Sequence, residues 1–284
     1  QRFAQDDRIV AVVGDFSSSV SMAAAEIYNQ AGILQISPTA SHPDYTKVGE
    51  YIFRAGATQT AEGPFLARWA VNDLDYDSIA TVYINSDWGV VANRFFVEEA
   101  EDLGATITTQ ESYITGDKDF QATITKIRNQ DPDMVFLAMP WADAGAIISQ
   151  MGQVGYLPPM MGPGQLSTND LIEMTGDYSE DLRANAQYFL EDTRPVSQNF
   201  TEGYEEMWGY LPHDHAALAY DALMLVADAI EEAGVDRDGI RDAMAATEDY
   251  NGVTGGIEFD ANRDPIKEFV KIQIIDGQWS VARN

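Results

Sequence analysis

Two short stretches rich in hydroxyls carry the groups most able to do chemistry in this chain. The first is Val13-Gly14-Asp15-Phe16-Ser17-Ser18-Ser19-Val20-Ser21, and the second is Ile36-Ser37-Pro38-Thr39-Ala40-Ser41. Ser and Thr hydroxyls both donate and accept hydrogen bonds, so a cluster of them can hold an anion. Nucleophilic use of Ser18 would need a base, and the surrounding residues are not the Gly-x-Ser-x-Gly elbow that presents one. The chain has three His residues in all. Anion binding is therefore the chemistry these stretches suggest.

The elements that position them follow from the flanking pattern. Residues 9–13 form an apolar run that reads as a buried parallel strand. Over residues 19–30, Met22, Ala23, Ala25, Ile27 and Tyr28 recur at helical spacing, and Ala31-Gly32 stops the helix. The first cluster thus lies at a strand's carboxyl end and a helix's N-terminus, where N–H groups and the helix dipole favour a bound anion. Residues 33–36 read as the next strand, which puts the second cluster at a carboxyl end as well. Adjacent crests of this kind are where open α/β sheets bind ligands. Ser18 or Ser19 acting only as an N-cap is the plainer account of either loop alone. Two such loops one strand apart favour a site.

The alternation continues. Residues 51–54, 78–84, 105–112, 134–138 and 160–162 read as strands, and 60–74, 88–103, 120–129 and 141–154 as helices. Strict alternation with apolar strands predicts parallel sheets covered by helices on both faces. Loops with useful side chains recur at the carboxyl ends: Asn85-Ser86-Asp87-Trp88-Gly89, Met139-Pro140-Trp141 and Gly162-Pro163-Gly164-Gln165. Beyond residue 200 the character changes. Helices are expected over 200–208, 216–233 and 238–246, then strands over 252–260 and 269–275, with Asp276-Gly277 as a hairpin turn.

The chain has 284 residues, 45% of them hydrophobic, which is enough for two cores. It has no cysteine, so neither disulfides nor thiolate metal sites arise. Its net charge is -29, from 46 acidic residues against 17 basic ones. That balance disfavours nucleic acid and anionic membranes as partners, and the spread of acids with few lysines suggests a halophile-like surface. No apolar run approaches a membrane span, and the opening residues are not a signal peptide.

An ordered set of motifs carries a resemblance. Gly14-Asp15-Phe16-Ser17-Ser18-Ser19, residues 32–41, Tyr51-Ile52-Phe53-Arg54, Gly116-Asp117-Lys118-Asp119-Phe120 and Ala219-Tyr220-Asp221-Ala222 fall in the order seen in one family. The chain resembles the type I periplasmic substrate-binding proteins of branched-chain amino-acid ABC transporters over essentially its whole length. It is similar also to the ligand-binding domains of metabotropic glutamate receptors. The resemblance implies two doubly wound parallel-sheet α/β lobes joined by a three-segment hinge, closing on a ligand. It divides the chain into residues 1–55 with 193–260, and 56–192 with 261–284. The hinge segments are expected near Arg54-Ala55, 192–195 and 260–265. Family members begin with further strand–helix units, so the chain reads as N-terminally shortened.

Position by position, the resemblance implies that Ser18 and Ser41 hold a ligand carboxylate, with Ser19 beside them. It implies that the Thr39 carbonyl takes an ammonium group and that Ala40 lies between. Gln59, Trp88, Trp141 and Gln165 match second-lobe contacts, Trp141 as an aromatic cover. The family's ammonium-binding carboxylate has no clear counterpart among Asp87, Asp192 and Asp214. The implied protein is a non-catalytic, monomeric, extracytoplasmic receptor, with or without a lipid anchor and without a cofactor. It would hand an amino acid or related carboxylate to ABC permease subunits. An amide, urea or aromatic-acid receptor and a sensory domain are the alternatives on the same fold.

Other constellations yield to simpler accounts. His213-Asp214-His215 does not present one tetrahedral face, and Pro212 with Asp214 suits a helix start. Asp117-Lys118-Asp119 lacks the glycine and terminal glutamate of a calcium loop at their spacing. Glu98, Glu99, Glu101 and Asp102 read as a solvated helix face. No phosphate-binding glycine motif follows a strand.

Overall fold

A computed structural model describes residues 1–282. In chain order the strands are β1 (Ala11–Val13), β2 (Leu34–Ser37), β3 (Ile52–Arg54), β4 (Ser78–Ile84), β5 (Thr106–Tyr113), β6 (Met134–Ala138), β7 (Met160–Gly162), β8 (Arg183–Ala186), β9 (Tyr250–Gly252), β10 (Gly255–Ile257), β11 (Val270–Ile275) and β12 (Gln278–Val281). The helices are α1 (Ser18–Gln30), α2 (Gln59–Arg68), α3 (Asp87–Asp102), α4 (Gln121–Gln130), α5 (Trp141–Gln153), α6 (Asn169–Thr175), α7 (Pro195–Trp208), α8 (Asp214–Ala233) and α9 (Arg237–Ala245). The chain divides into two compact units, Gln1–Thr58 with Gln187–Glu268, and Gln59–Ala186 with Phe269–Asn284. It passes from one to the other at 58/59, 186/187 and 268/269.

The first unit is built on the parallel sheet β1-β2-β3. Alternate residues of its strands serve opposite faces. Leu34, Ile36 and Phe53 pack with Leu225, Val226 and Ala229 of α8, with Ile240 and Met244 of α9, and with Ile257 of β10. On the other face Ile52 packs with Ala25 of α1, Ala40 and Tyr45. Both faces are covered, which is why these strands read as unbroken apolar runs.

The second unit holds a seven-stranded sheet of order β12-β11-β8-β7-β6-β4-β5. Strands β4 to β8 run parallel, while β11 is antiparallel to β8 and β12 to β11. From β4 the chain goes outward to β5 and then returns to the other side of β4 as β6. That reversal makes the carboxyl ends of β4 and β6 a topological switch point, the position at which open α/β sheets bind ligands.

Three local expectations change. The single strand expected over 252–260 is a tight hairpin of β9 and β10, paired antiparallel. The Asp221 carboxylate accepts from the Val253 and Thr254 amides at 2.8 and 2.9 Å in its turn, and Gly255 takes a φ of +107° that suits glycine. The helix expected over 60–74 ends as α2 and continues as one wide turn, Trp69–Asp73, whose Leu74 amide reaches back five residues to Trp69. Strand β8 has no counterpart in the expectation.

Candidate ligand-binding site

In the first unit, both hydroxyl loops leave the carboxyl edge of the sheet, after β1 and after β2. Side chain to main chain bonds staple them together. Ser37 Oγ donates to the Asp15 carbonyl at 2.6 Å and accepts from the Ala40 amide at 2.9 Å. Thr39 Oγ1 donates to the Phe16 carbonyl at 2.8 Å, and Ser21 Oγ donates to that of Asp15 at 3.0 Å. Gln35 Nε2 closes the base by donating to the Gly14 carbonyl at 2.9 Å.

Ser18, Ser19, Thr39, Ala40 and Ser41 therefore belong to one pair of stapled loops. Ser17 is the N-cap of α1, and its side chain makes no bond to the first turn. Ser18 is the first helical residue and is buried; its Oγ accepts from the His42 amide at 3.3 Å. That bond uses the oxygen and leaves the hydroxyl hydrogen to donate elsewhere. Ser41, which follows Ala40 in the second loop, is buried, whereas Ser19 is exposed.

The second loop rests on Arg54, a residue whose role in this site the sequence did not disclose. Arg54 is fully buried at the end of β3. Its Nη1 donates to the Ala40 carbonyl and its Nη2 to that of His42, both at 2.8 Å. Its Nε lies 2.6 Å from Asp264 Oδ1, which also accepts from Thr46 Oγ1 at 2.9 Å. One buried guanidinium fork thus fixes two successive carbonyl directions of the loop.

In the second unit, Trp88 follows β4 as the second residue of α3, and Trp141 opens α5 after β6, so the two flank the switch point. Trp88 is buried and Trp141 half-buried. Gln165 lies half-buried after β7 in the turn Gly164–Leu166. Gln59 is the first residue of α2, fully buried, and donates from Nε2 to the Trp88 carbonyl at 3.0 Å. That bond joins Gln59 and Trp88. No bond among the described residues joins Trp141 or Gln165 to them. Asp143 braces the first turn of α5, accepting from Tyr113 at 2.8 Å and pairing with Lys118 at 2.9 Å.

Two side chains at this edge escaped the sequence reading. Glu62, one turn into α2, accepts through Oε1 from the Gly164 amide at 3.1 Å and from Asn185 Nδ2 at 3.0 Å. Burial raises its carboxyl pKa above the ordinary range, and the two hydrogen bonds oppose that rise. The acids considered for an ammonium group are differently engaged. Asp192 pairs with Arg194, and Asp214 Oδ1 accepts from the Gln187 and Tyr188 amides at 2.9 and 2.8 Å. Asp87 is an exposed first-turn residue of α3. His213 Nδ1 accepts from the His215 amide at 3.2 Å and so caps α8.

Two α/β units, each with its polar loops gathered at the carboxyl edge of a parallel sheet, define a type I periplasmic binding protein. The sequence matches the model of the periplasmic binding protein family over residues 1–276, and the chain belongs to that family. A leucine-, isoleucine-, valine-, threonine- and alanine-binding protein of Pseudomonas aeruginosa is 26% identical over 93% of this chain and 70% of its own. The structure of the substrate-binding protein LivJ of Streptococcus pneumoniae, in complex with isoleucine, superposes with a TM-score of 0.92. It is 25% identical over 99% of this chain and 80% of that one. A solute-binding protein of Rhodopseudomonas palustris in complex with benzoate, 20% identical over 99% of this chain and 78% of that one, shares the fold with a TM-score of 0.91.

Proposed function

We propose that this chain is the solute-binding component of an ABC importer, acting outside the cytoplasm, and that its solute is an amino acid. The observation that carries the reading is the stapled loop pair of the first unit. It offers the Ser18 hydroxyl hydrogen, at the first turn of a 13-residue helix, to an incoming anion. A carboxylate there gains charge-assisted hydrogen bonds and the favourable end of the helix dipole. In the second unit, the edge that carries Gln59, Trp88, Trp141 and Gln165 is the further candidate solute surface.

Nothing in this arrangement needs a reaction. The chain binds, and the permease subunits read the bound state. No described helix is long and apolar enough to cross a membrane.

Thermal melting of the purified protein against the common amino acids, benzoate and short aliphatic acids tests the proposal. Native mass spectrometry identifies any solute that co-purifies. Binding that saturates raises the melting temperature with ligand concentration, by mass action on the folded state. If no carboxylate in the panel shifts the melt and none co-purifies, the reading fails. A benzoate shift that exceeds every amino acid would transfer it to aromatic acids, for which half-buried Trp141 would be the stacking surface.

A further inference from the structure

In the first unit, the carboxyl half of α7 and the adjoining face of α8 present rings and aliphatic groups to solvent. Phe200, Tyr204 and Trp208 recur every four residues and so line one face of α7. Their rings run in series, Phe200 to Tyr204 at 5.8 Å and Tyr204 to Trp208 at 6.4 Å between centroids. Tyr210, just past the helix, meets Tyr204 at 5.6 Å, and Tyr220 of α8 meets Phe200 at 4.9 Å. The inner end of the series is covered, because Phe200 packs against buried Tyr188. The outer end is open: Met207 is 73% exposed, Trp208 59% and Tyr210 57%. Apolar groups that adjoin one another in the open mark interaction sites, whereas scattered ones need no explanation.

The charge around this face says what it accepts. Elsewhere the chain lays its own cations over its rings, as Arg241 over Tyr51, Arg128 over Tyr156 and Lys271 over Trp69. Among the described residues no Lys or Arg stands over Tyr204, Trp208, Tyr210 or Tyr220. Residues 195–236 contain neither Lys nor Arg. Arg194, at the start of α7, is spent on Asp192 and on the Gly252 and Val253 carbonyls. The same helix carries exposed Glu202, Glu205 and Glu206, and its C-terminus sets the negative end of the helix dipole beside Trp208. Open ring faces next to carboxylates attract cations, and the apolar groups between them need a surface that carries both.

That combination argues against a second copy of this chain, which would bring the same glutamates and a net charge of -29 against itself. It argues against an anionic lipid surface for the same reason. The flanks of two helices form the face, and a third helix packs on such flanks ridge into groove.

We propose that this face of α7 and α8 docks a helix of another protein, apolar along one side and flanked there by Arg or Lys. Met207 and Trp208 meet the apolar stripe, while the cations stack on the open rings and pair with the glutamates. No residue of the hydroxyl loops takes part, so the inference stands apart from the solute-binding reading.

The test is calorimetry of the whole protein with a Leu/Lys peptide of about 14 residues, four turns patterned as an amphipathic helix. Two counterparts are compared at about 0.15 M salt, one with Glu for every Lys and one with Ser for every Leu. The Leu/Lys peptide is expected to bind at least roughly tenfold more tightly than either, because charge and apolar stripe are both required. Met207→Ser/Trp208→Ser and, separately, Glu202→Gln/Glu205→Gln/Glu206→Gln should each weaken it by at least roughly tenfold. All five side chains are exposed. Should a multiple variant not fold, Tyr210→Ser, beyond the end of the helix, is read in the same way.

The Ser-containing peptide binding as tightly as the Leu/Lys one would show attraction to the general negative charge and overturn the docking face. So would unchanged affinity in the Met207→Ser/Trp208→Ser variant, or no binding of any peptide. Self-association of the wild type in sedimentation, abolished by that variant, would give the face to a second copy and overturn the proposal. Phosphatidylcholine vesicles bound more tightly than the peptide would give it to a membrane and overturn it too. Thermal shifts by amino acids judge the solute reading separately.

Discussion

The carboxyl edges of the two units solve opposite problems. In the first unit the edge is rich in donors, and its one buried cation, Arg54, is neutralised by Asp264 and consumed in holding carbonyls. In the second unit the edge holds the buried carboxylate of Asp143, paired with the exposed Lys118, and the half-buried carboxylate of Glu62, whose partners are neutral. A buried charge that is paired serves the fold, whereas one left unpaired is held at a cost that a ligand can remove. The first unit spends its buried guanidinium on loop geometry.

Replacing Arg54 is the strongest way to break that comparison. Arg54→Met leaves Asp264 without its partner and frees the Ala40 and His42 carbonyls. Removing one member of a buried pair costs about 3–5 kcal/mol, and urea denaturation should show a loss of that size. A loss below about 1 kcal/mol would mean that the guanidinium fork does not hold the loop.

Ser18→Ala and Ser41→Ala ask whether the donor edge binds an anion. Each should weaken the calorimetric affinity for the amino acid found in screening by about 1.5–3 kcal/mol, the range for hydrogen bonds to a charged group. Unchanged affinity in both would reduce the loops to structural turns.

His215 sharpens the comparison through pH. Its ring meets Phe16 edge-on at 5.2 Å, beside the first loop, and burial with help from His213 lowers its pKa to about 4. The unfolded chain takes up this proton near the ordinary value, about 6.5, before the folded chain does. Stability should therefore fall as pH drops from about 6.5 to about 4. Solvent screening of a half-buried ring limits the effect to on the order of 1–2 kcal/mol. His215→Leu should lack that component, and identical wild-type and variant curves over this range would refute the assignment.

The smallest effect belongs to the counterpart of Arg54 in the second unit. Lys118 pairs with Asp143 at the start of α5, but its side chain is 67% exposed. Exposed pairs contribute about 0.2–1 kcal/mol, so Lys118→Ala should barely move the melting curve. A loss matching that of Arg54→Met would erase the distinction between the two edges.

What could be read from the sequence was whatever apolar periodicity marks. Strands β4 and β6 are buried runs of Ile, Val, Leu and Phe and were legible at once, and with them the loops that carry Trp88 and Trp141. Strand β8 reads Arg-Ala-Asn-Ala, with no apolar run. It is a strand because β7 and β11 flank it, which is tertiary context. Asn185 was hidden for the same reason. Glu62 is a first-turn acid of α2 that no motif marks. Its bond from the Gly164 amide reaches across about a hundred residues of sequence, which no local pattern announces. Arg54 was visible as part of a motif, yet its partners in the 40–42 loop and at Asp264 become apparent only in three dimensions.

The threefold passage of the chain between the units also has a consequence for synthesis. Leu34, Ile36 and Phe53 find their partners on α8 and α9, nearly two hundred residues downstream. Strand β8 gains its second neighbour only when β11, more than eighty residues later, has been made. Contacts between such distant segments carry a high loop-closure entropy and form late. A ribosome-bound nascent chain would thus expose unfinished sheets in both units until β11 emerges. Pulse proteolysis of stalled nascent chains should find resistance only after β11 has cleared the exit tunnel.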